Sequence, residues 1–166
     1  MRITIEDKDR TSQVISRVKG LRDIGLYVGV FEGPRRIGSN LTNAELANIL
    51  ENGTDDGRLP ARPFIIPGLQ ESRIRWISHI KASGEAALDG KRRVAQNQLH
   101  KAGQAAVDGI QNKMIEGPFT PLSEKYVKRS KWRSGTRPQG GRRVGGALLD
   151  TGQLFNAIEY RIRSRV

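Results

Sequence analysis

The sequence predicts an α+β fold: a small, mostly antiparallel sheet packed against one long helix and short helices, with an extended basic loop. Three observations predict it. The run Ile24-Gly25-Leu26-Tyr27-Val28-Gly29-Val30-Phe31 is rich in β-branched and aromatic residues and closes on Glu32-Gly33-Pro34, as a strand followed by a turn does. The tail from Ile158 to Val166 alternates apolar with charged side chains, the period of a strand with one dry face. Between them, apolar positions from Leu69 through Trp76, Ile77, Ile80, Leu88, Val94, Leu99, Ala106 and Ile110 to Met114 recur at three- and four-residue steps, the period of a helix.

Taken in order, Arg2 to Glu6 alternates polar and apolar and reads as a short strand, and Val14, Ile15 and Val18 then fall at helical spacing. Thr42-Asn43-Ala44-Glu45 is a capping box: the Thr hydroxyl accepts from the third helical amide while Glu45 reaches back to the cap. Leu46, Ile49 and Leu50 give that helix its apolar stripe, and Gly53 is placed to stop it in a left-handed conformation. Pro60, Pro63 and Pro67 make Leu59 to Ile66 extended and stiff until Pro67 opens a helix in its first turn. Unbroken to Glu116, that helix would run ~75 Å at ~1.5 Å per residue. A break is expected near Ser83-Gly84, since each internal glycine costs about 1 kcal/mol against alanine. Its Ala- and Gly-rich face lets another helix approach closely, and a lone long helix would lay its stripe on a sheet or on a neighbouring subunit. Gly117-Pro118 stops it, Ser123 with Tyr126 and Val127 suggests a short helix, and Leu148 to Ile158 looks like a capped turn with Asp150 or Thr151 as the cap.

The length of 166 residues fits one domain, 1–166. Its 29 basic and 17 acidic side chains give a net charge of +12, so acidic partners are expected. More than half of that charge lies in residues 128–147, where Lys128, Arg129, Lys131, Arg133, Arg137, Arg142 and Arg143 stand without one carboxylate. This Gly-rich stretch reads as a flexible loop, either a solvated insertion or a basic arm that orders against phosphate or an acidic protein groove. Trp132 either anchors its base or stacks on a partner. With no cysteine there is no disulfide, thiolate zinc site or Cys nucleophile. The start lacks the apolar core of a signal peptide and no segment has the length of a membrane span, so a soluble, non-secreted chain is expected.

Catalytic constellations are not evident. His79 and His100 lack the HExxH spacing, and Gly90-Lys91 fails as a phosphate loop because Arg92 stands where Ser or Thr must hold the metal. Ser39 after Gly38 is not part of a GxSxG elbow, and Asp7, Asp9, Asp55 and Asp56 read as exposed turns rather than metal ligands. No enzyme, cofactor or metal is expected.

Three separated segments together resemble the tail-completion, or neck, proteins of tailed bacteriophages, a family also described as virion morphogenesis or minor tail protein Z-like. They are Leu26 to Val30 followed by Asn43 to Gly53; Leu59-Pro60-Ala61-Arg62-Pro63-Phe64, similar to the family's I-P-A-R-P-F signature; and Pro121-Leu122 with Leu148-Leu149-Asp150-Thr151-Gly152-Gln153-Leu154, similar to its L-x-D-T-G-x-L element. Asn52 departs from the bulkier residue of many members. The resemblance implies a non-enzymatic virion protein at the head-proximal end of the tail, in a ring that is sixfold. Its partners would be other copies of the chain, head-completion or connector proteins, and tail terminator or tube proteins, with possible contact to genomic DNA and none to membrane. A rigid edge of Glu51, Leu59, Pro60, Arg62, Pro63 and Phe64 suits presentation to a neighbour at low entropic cost. The alternative is that Phe64, Ile65 and Ile66 enter the core while Arg62 pairs with Glu51 or Asp55. A second function, nucleic-acid binding by the basic arm, also follows from the charge.

Overall fold

A computed structural model describes residues 8–22, 24–119 and 152–164. The order is α1 (Lys8–Arg22), β1 (Ile24–Val30), α2 (Asn43–Asn52), α3 (Ile65–Glu71), α4 (Arg73–Leu88), α5 (Arg92–Glu116), α6 (Gln153–Asn156) and β2 (Ile158–Ser164). The fold is α+β, with one antiparallel two-stranded sheet among the described residues and a 25-residue helix, α5, beneath it. The strands expected at Ile24 and Ile158 are present. The strand expected at Arg2 to Glu6, the short helix near Ser123, and the basic loop lie outside the described residues.

The register pairs Leu26 with Ile162, Val28 with Tyr160 and Val30 with Ile158. Facing residues of a ladder share a side, so these form one apolar face. That face meets α5: Ile158 is buried with Val107, Ile110 and Met114, and Val28, Val30 and Tyr160 pack against them. The Tyr160 ring lies over Gly103, where a Cβ would come within 2.4 Å of it.

The expected long helix is present as α5, but the apolar run from Leu69 to Met114 folds back into a hairpin of α4 and α5. Its break lies at Asp89 to Lys91 rather than at Ser83-Gly84, and a second, smaller one lies at Ser72. Gly84 has open space around it, so nothing there requires a glycine or breaks the helix, whereas Ser83 is buried and its Oγ donates to Ala95 O at 2.8 Å, tying α4 to α5. Gly90 takes φ +79°, a conformation open to glycine, and turns the chain. Part of the apolar stripe is therefore covered within the chain itself, while Leu88 and Val94 stay 43% and 46% exposed.

Close approach depends on small residues, as the sequence suggested. A Cβ on Gly109 would meet Ser72 Oγ at 2.1 Å, and one on Gly68 would meet Ile110 Cα at 2.6 Å. Ser72, itself buried, returns its Oγ–H to Gly68 O at 2.7 Å, so its hydroxyl is satisfied inside the contact. Farther along, His79 Nδ1 and Gln98 Oε1 are 2.9 Å apart, and Lys113 pairs with Glu71. At the turn, Arg17 of α1 donates to Leu88 O at 2.7 Å, placing a cation at the C-terminal carbonyls of α4.

Candidate functional site

The proline-bounded segment and the helix before it form one unit. The capping box is present: Glu45 N–H donates to Thr42 Oγ1 at 3.1 Å, and Thr42 N–H donates to Glu45 Oε2 at 2.7 Å. The Thr42 backbone N–H, then its hydroxyl, hold the Glu45 carboxyl below the usual glutamate range. At the other end Gly53 has positive φ, as expected, but with ψ −172° it is extended rather than left-handed helical. Tight packing explains the difference, because a Cβ on Gly53 would lie 2.9 Å from Leu59 O and 3.0 Å from Ala61 N. The chain doubles back through a closed turn in which Thr54 N–H donates to Leu59 O at 3.1 Å and Leu59 N–H to Thr54 Oγ1 at 3.0 Å. The Thr54 hydroxyl, followed by the Arg58 N–H, keeps the exposed Asp56 carboxyl below its ordinary range.

Glu51 joins this unit to the next helix. Its Oε2 accepts from the N–H groups of Phe64 at 2.8 Å and Ile65 at 3.0 Å, and its Oε1 from Ile66 at 3.1 Å. These are the otherwise unpaired amides at the start of α3, whose local N-cap, Phe64, offers no side-chain acceptor. A carboxylate thirteen residues upstream replaces the missing local cap and places negative charge at the helix N-terminus, where it is favourable.

The extended segment then divides by alternation. Arg62 and Phe64 point inward, 5% and 0% exposed, and Arg62 N–H donates to Leu50 O at 2.7 Å. Leu59, Pro60, Ala61 and Pro63 are exposed, Leu59 at 45%. Of the six residues expected at an interface, three therefore present side chains to solvent, two lie inside, and Glu51 is a cap. The alternative that Phe64 belongs to the core is the arrangement seen, with Ile65 packed at its margin and Ile66 exposed. Lys128, Arg129, Lys131, Trp132, Arg133, Arg137, Arg142 and Arg143 lie outside the described residues.

The described end of the third segment, Gly152 to Leu154, meets the first two. Leu154 of α6 is buried in one cluster with Ala47 of α2 and Phe64, with Leu46, Leu50, Val28 and Val30 around it. Gln153 Oε1 accepts from Ile37 N–H at 3.1 Å. The residue flanking the start of α6 is Gly152, in the left-handed conformation at φ +70°, and the Asp150 and Thr151 expected as the cap lie outside the described residues. Sequence reasoning missed Glu51 as a cap; an acidic residue ahead of an uncapped helix start was the available signal.

Among the described residues no three His, Cys, Asp or Glu side chains group as metal ligands, and no helix is long and apolar enough to cross a membrane. His100 Nδ1 lies 3.1 Å from the Tyr160 hydroxyl at the surface, and His79 is half-buried against Gln98. No protein-family model, curated protein or solved structure matches the chain.

Proposed function

We propose that this chain is a non-enzymatic structural protein of a tailed bacteriophage virion, a tail-completion or neck component that joins tail to head as part of a sixfold ring. One observation supports this reading above the rest. The described parts of the three segments that carry the resemblance are far apart in sequence and share one core, through Val28 and Val30, Ala47, Phe64, and Leu154. Between them the Gly53 and Glu51 contacts fix the Leu59 to Pro63 edge, leaving a rigid, partly apolar surface already in its bound shape. Other copies of the chain and the flanking head-completion, terminator or tube proteins are its partners, in the virion neck and, during assembly, in the host cytoplasm.

Complementation tests it. In a phage carrying this gene, disruption leaves full heads and complete tails unjoined, and the wild-type chain supplied in trans restores infectious particles. Leu59→Asp and Pro63→Asp change only exposed side chains, so they should keep the melting temperature while failing to restore joining. Normal joining without the gene refutes the role; normal joining by both variants refutes the edge. A separate salt titration addresses the basic arm, because phosphate binding weakens steeply between ~50 and ~200 mM salt and apolar ring contacts do not.

A further inference from the structure

The sheet has a second face that the core does not use. Alternation places Gly25, Tyr27 and Gly29 of β1 with Glu159, Arg161 and Arg163 of β2 on the side away from α5. Phe31, just beyond β1, joins them, since the Arg161 guanidinium carbon sits 4.1 Å from its ring centroid. Among the described residues of the two strands, no aliphatic side chain stands on this face. Tyr27 is 44% exposed, and its ring lies back along the strand over Gly25, where a Cβ would come within 2.8 Å of Cε2 and 3.1 Å of Cζ. The missing Cβ thus lets an aromatic lie over the sheet with its tip beside the register partner of Gly25, the exposed Arg163.

We propose that this face binds single-stranded nucleic acid, with a base stacked on Tyr27 and the adjoining phosphates held by Arg163 and Arg161. The exposed Tyr27 ring beside arginine on a sheet offers what unpaired bases need: a π-face to stack on and a cation for the backbone. A paired duplex keeps its bases stacked on one another and has none to offer Tyr27. The net charge of +12 draws any polyanion towards the molecule. Among the described residues of the two strands, Glu159 is the one carboxylate on the face. It accepts from Arg161 Nε at 2.9 Å, which holds that guanidinium over Phe31 and offsets its charge, so Arg163 carries most of the attraction. This surface is independent of the neck role and of the proline edge.

The test is fluorescence anisotropy of the full chain with a short labelled oligothymidylate and with a labelled duplex of the same length. The single strand should bind more tightly. Tyr27→Ala should weaken it by about five- to one-hundredfold, the range for loss of one stacked base, and Tyr27→Phe should not. Arg163→Glu removes no ring and alters an exposed side chain, so it tests the same face without threatening the fold; it should weaken binding and flatten the salt dependence. Glu159→Gln should tighten binding. Wild-type affinity in both Tyr27→Ala and Arg163→Glu would place binding elsewhere on the chain, and equal affinity for duplex, or no binding at low salt, would overturn the proposal.

Discussion

From Gly103 to Met114, α5 is enclosed by α3, the start of α4 and the inner face of the sheet, and Ile110 and Met114 are fully buried. Around its first turn the same helix is thinly covered. Val94 is 46% exposed, Leu88 before the turn 43%, and the α1 residues Val14, Ile15 and Val18 about half. The difference does not come from apolar content, since branched side chains are plentiful at the thin end. It comes from glycine: at Gly68, Gly103 and Gly109 the Ile110 backbone, the Tyr160 ring and the Ser72 side chain come so near that no Cβ fits. Burial here follows from how near two elements can come.

The largest effect should come from the middle of the enclosed region. Phe64 is fully buried where α2, α5 and α6 meet, so Phe64→Ala should destabilise the fold by ~3 to 5 kcal/mol in urea unfolding. A cost below ~1 kcal/mol would mean that the cluster collapses around the gap and is not tightly packed.

Gly109→Ala sharpens the claim that glycine sets the approach. The added methyl would overlap Ser72 Oγ and Cβ and lie 2.7 Å from Gly68 O, so despite better helix propensity the variant should lose ~1 to 3 kcal/mol. Gly84→Ala, with nothing within 4 Å, should gain up to ~1 kcal/mol. If both alanines stabilise, close packing is not what distinguishes the two ends.

Glu51→Ala strips three amides of their acceptor, and a cost of ~0.5 to 2 kcal/mol is expected, the scale of a lost N-cap. Hydrogen exchange should locate the loss at Phe64, Ile65 and Ile66. Smaller still is the Glu45 effect. Its carboxyl is held below the usual glutamate range, so the box contributes at neutral pH and is lost as pH falls through that lowered value. Glu45→Gln should remove this acid-dependent part of stability, read as a flatter low-pH limb of the unfolding midpoint.

How much of this was readable beforehand depends on whether a feature is local. The capping box, β1, β2 and the non-helical run from Leu59 to Pro63 are written in adjacent residues and were legible, although α3 opens at Ile65, two residues before Pro67. Periodicity also marked the helical stripe, but could not show that it folds back, because Gly84 and Gly90 look alike in sequence. They differ only in surroundings: Ser83 ties its neighbourhood to Ala95, while Gly90 takes φ +79° beside Arg17. Likewise Arg62 and Phe64 were recognisable as a motif, yet their inward direction depends on the alternation phase set by Glu51 and Gly53. A carboxylate that caps a helix thirteen residues away is a tertiary contact, and the local pattern names the residue without its role.

The smallest expected effect is at the thin end. Val14, Ile15 and Val18 stay about half exposed, so swapping Val14 and Val18 for Thr, which keeps the shape, removes little burial. What holds α1 is Arg17, whose Nη1 donates to Leu88 O at 2.7 Å beside a Gly90 that leaves room for the guanidinium. The Val14→Thr, Val18→Thr pair should therefore change stability by no more than ~0.5 kcal/mol, as surface substitutions do. Arg17→Ala should cost little globally too, but it removes the tie of α1 to the turn, so α1 amides should exchange faster while those of Gly103 to Met114 keep their protection. A loss above ~1 kcal/mol in the threonine pair would show that the α1 stripe is enclosed in solution, and the contrast between the two ends of α5 would then be one of residue type alone.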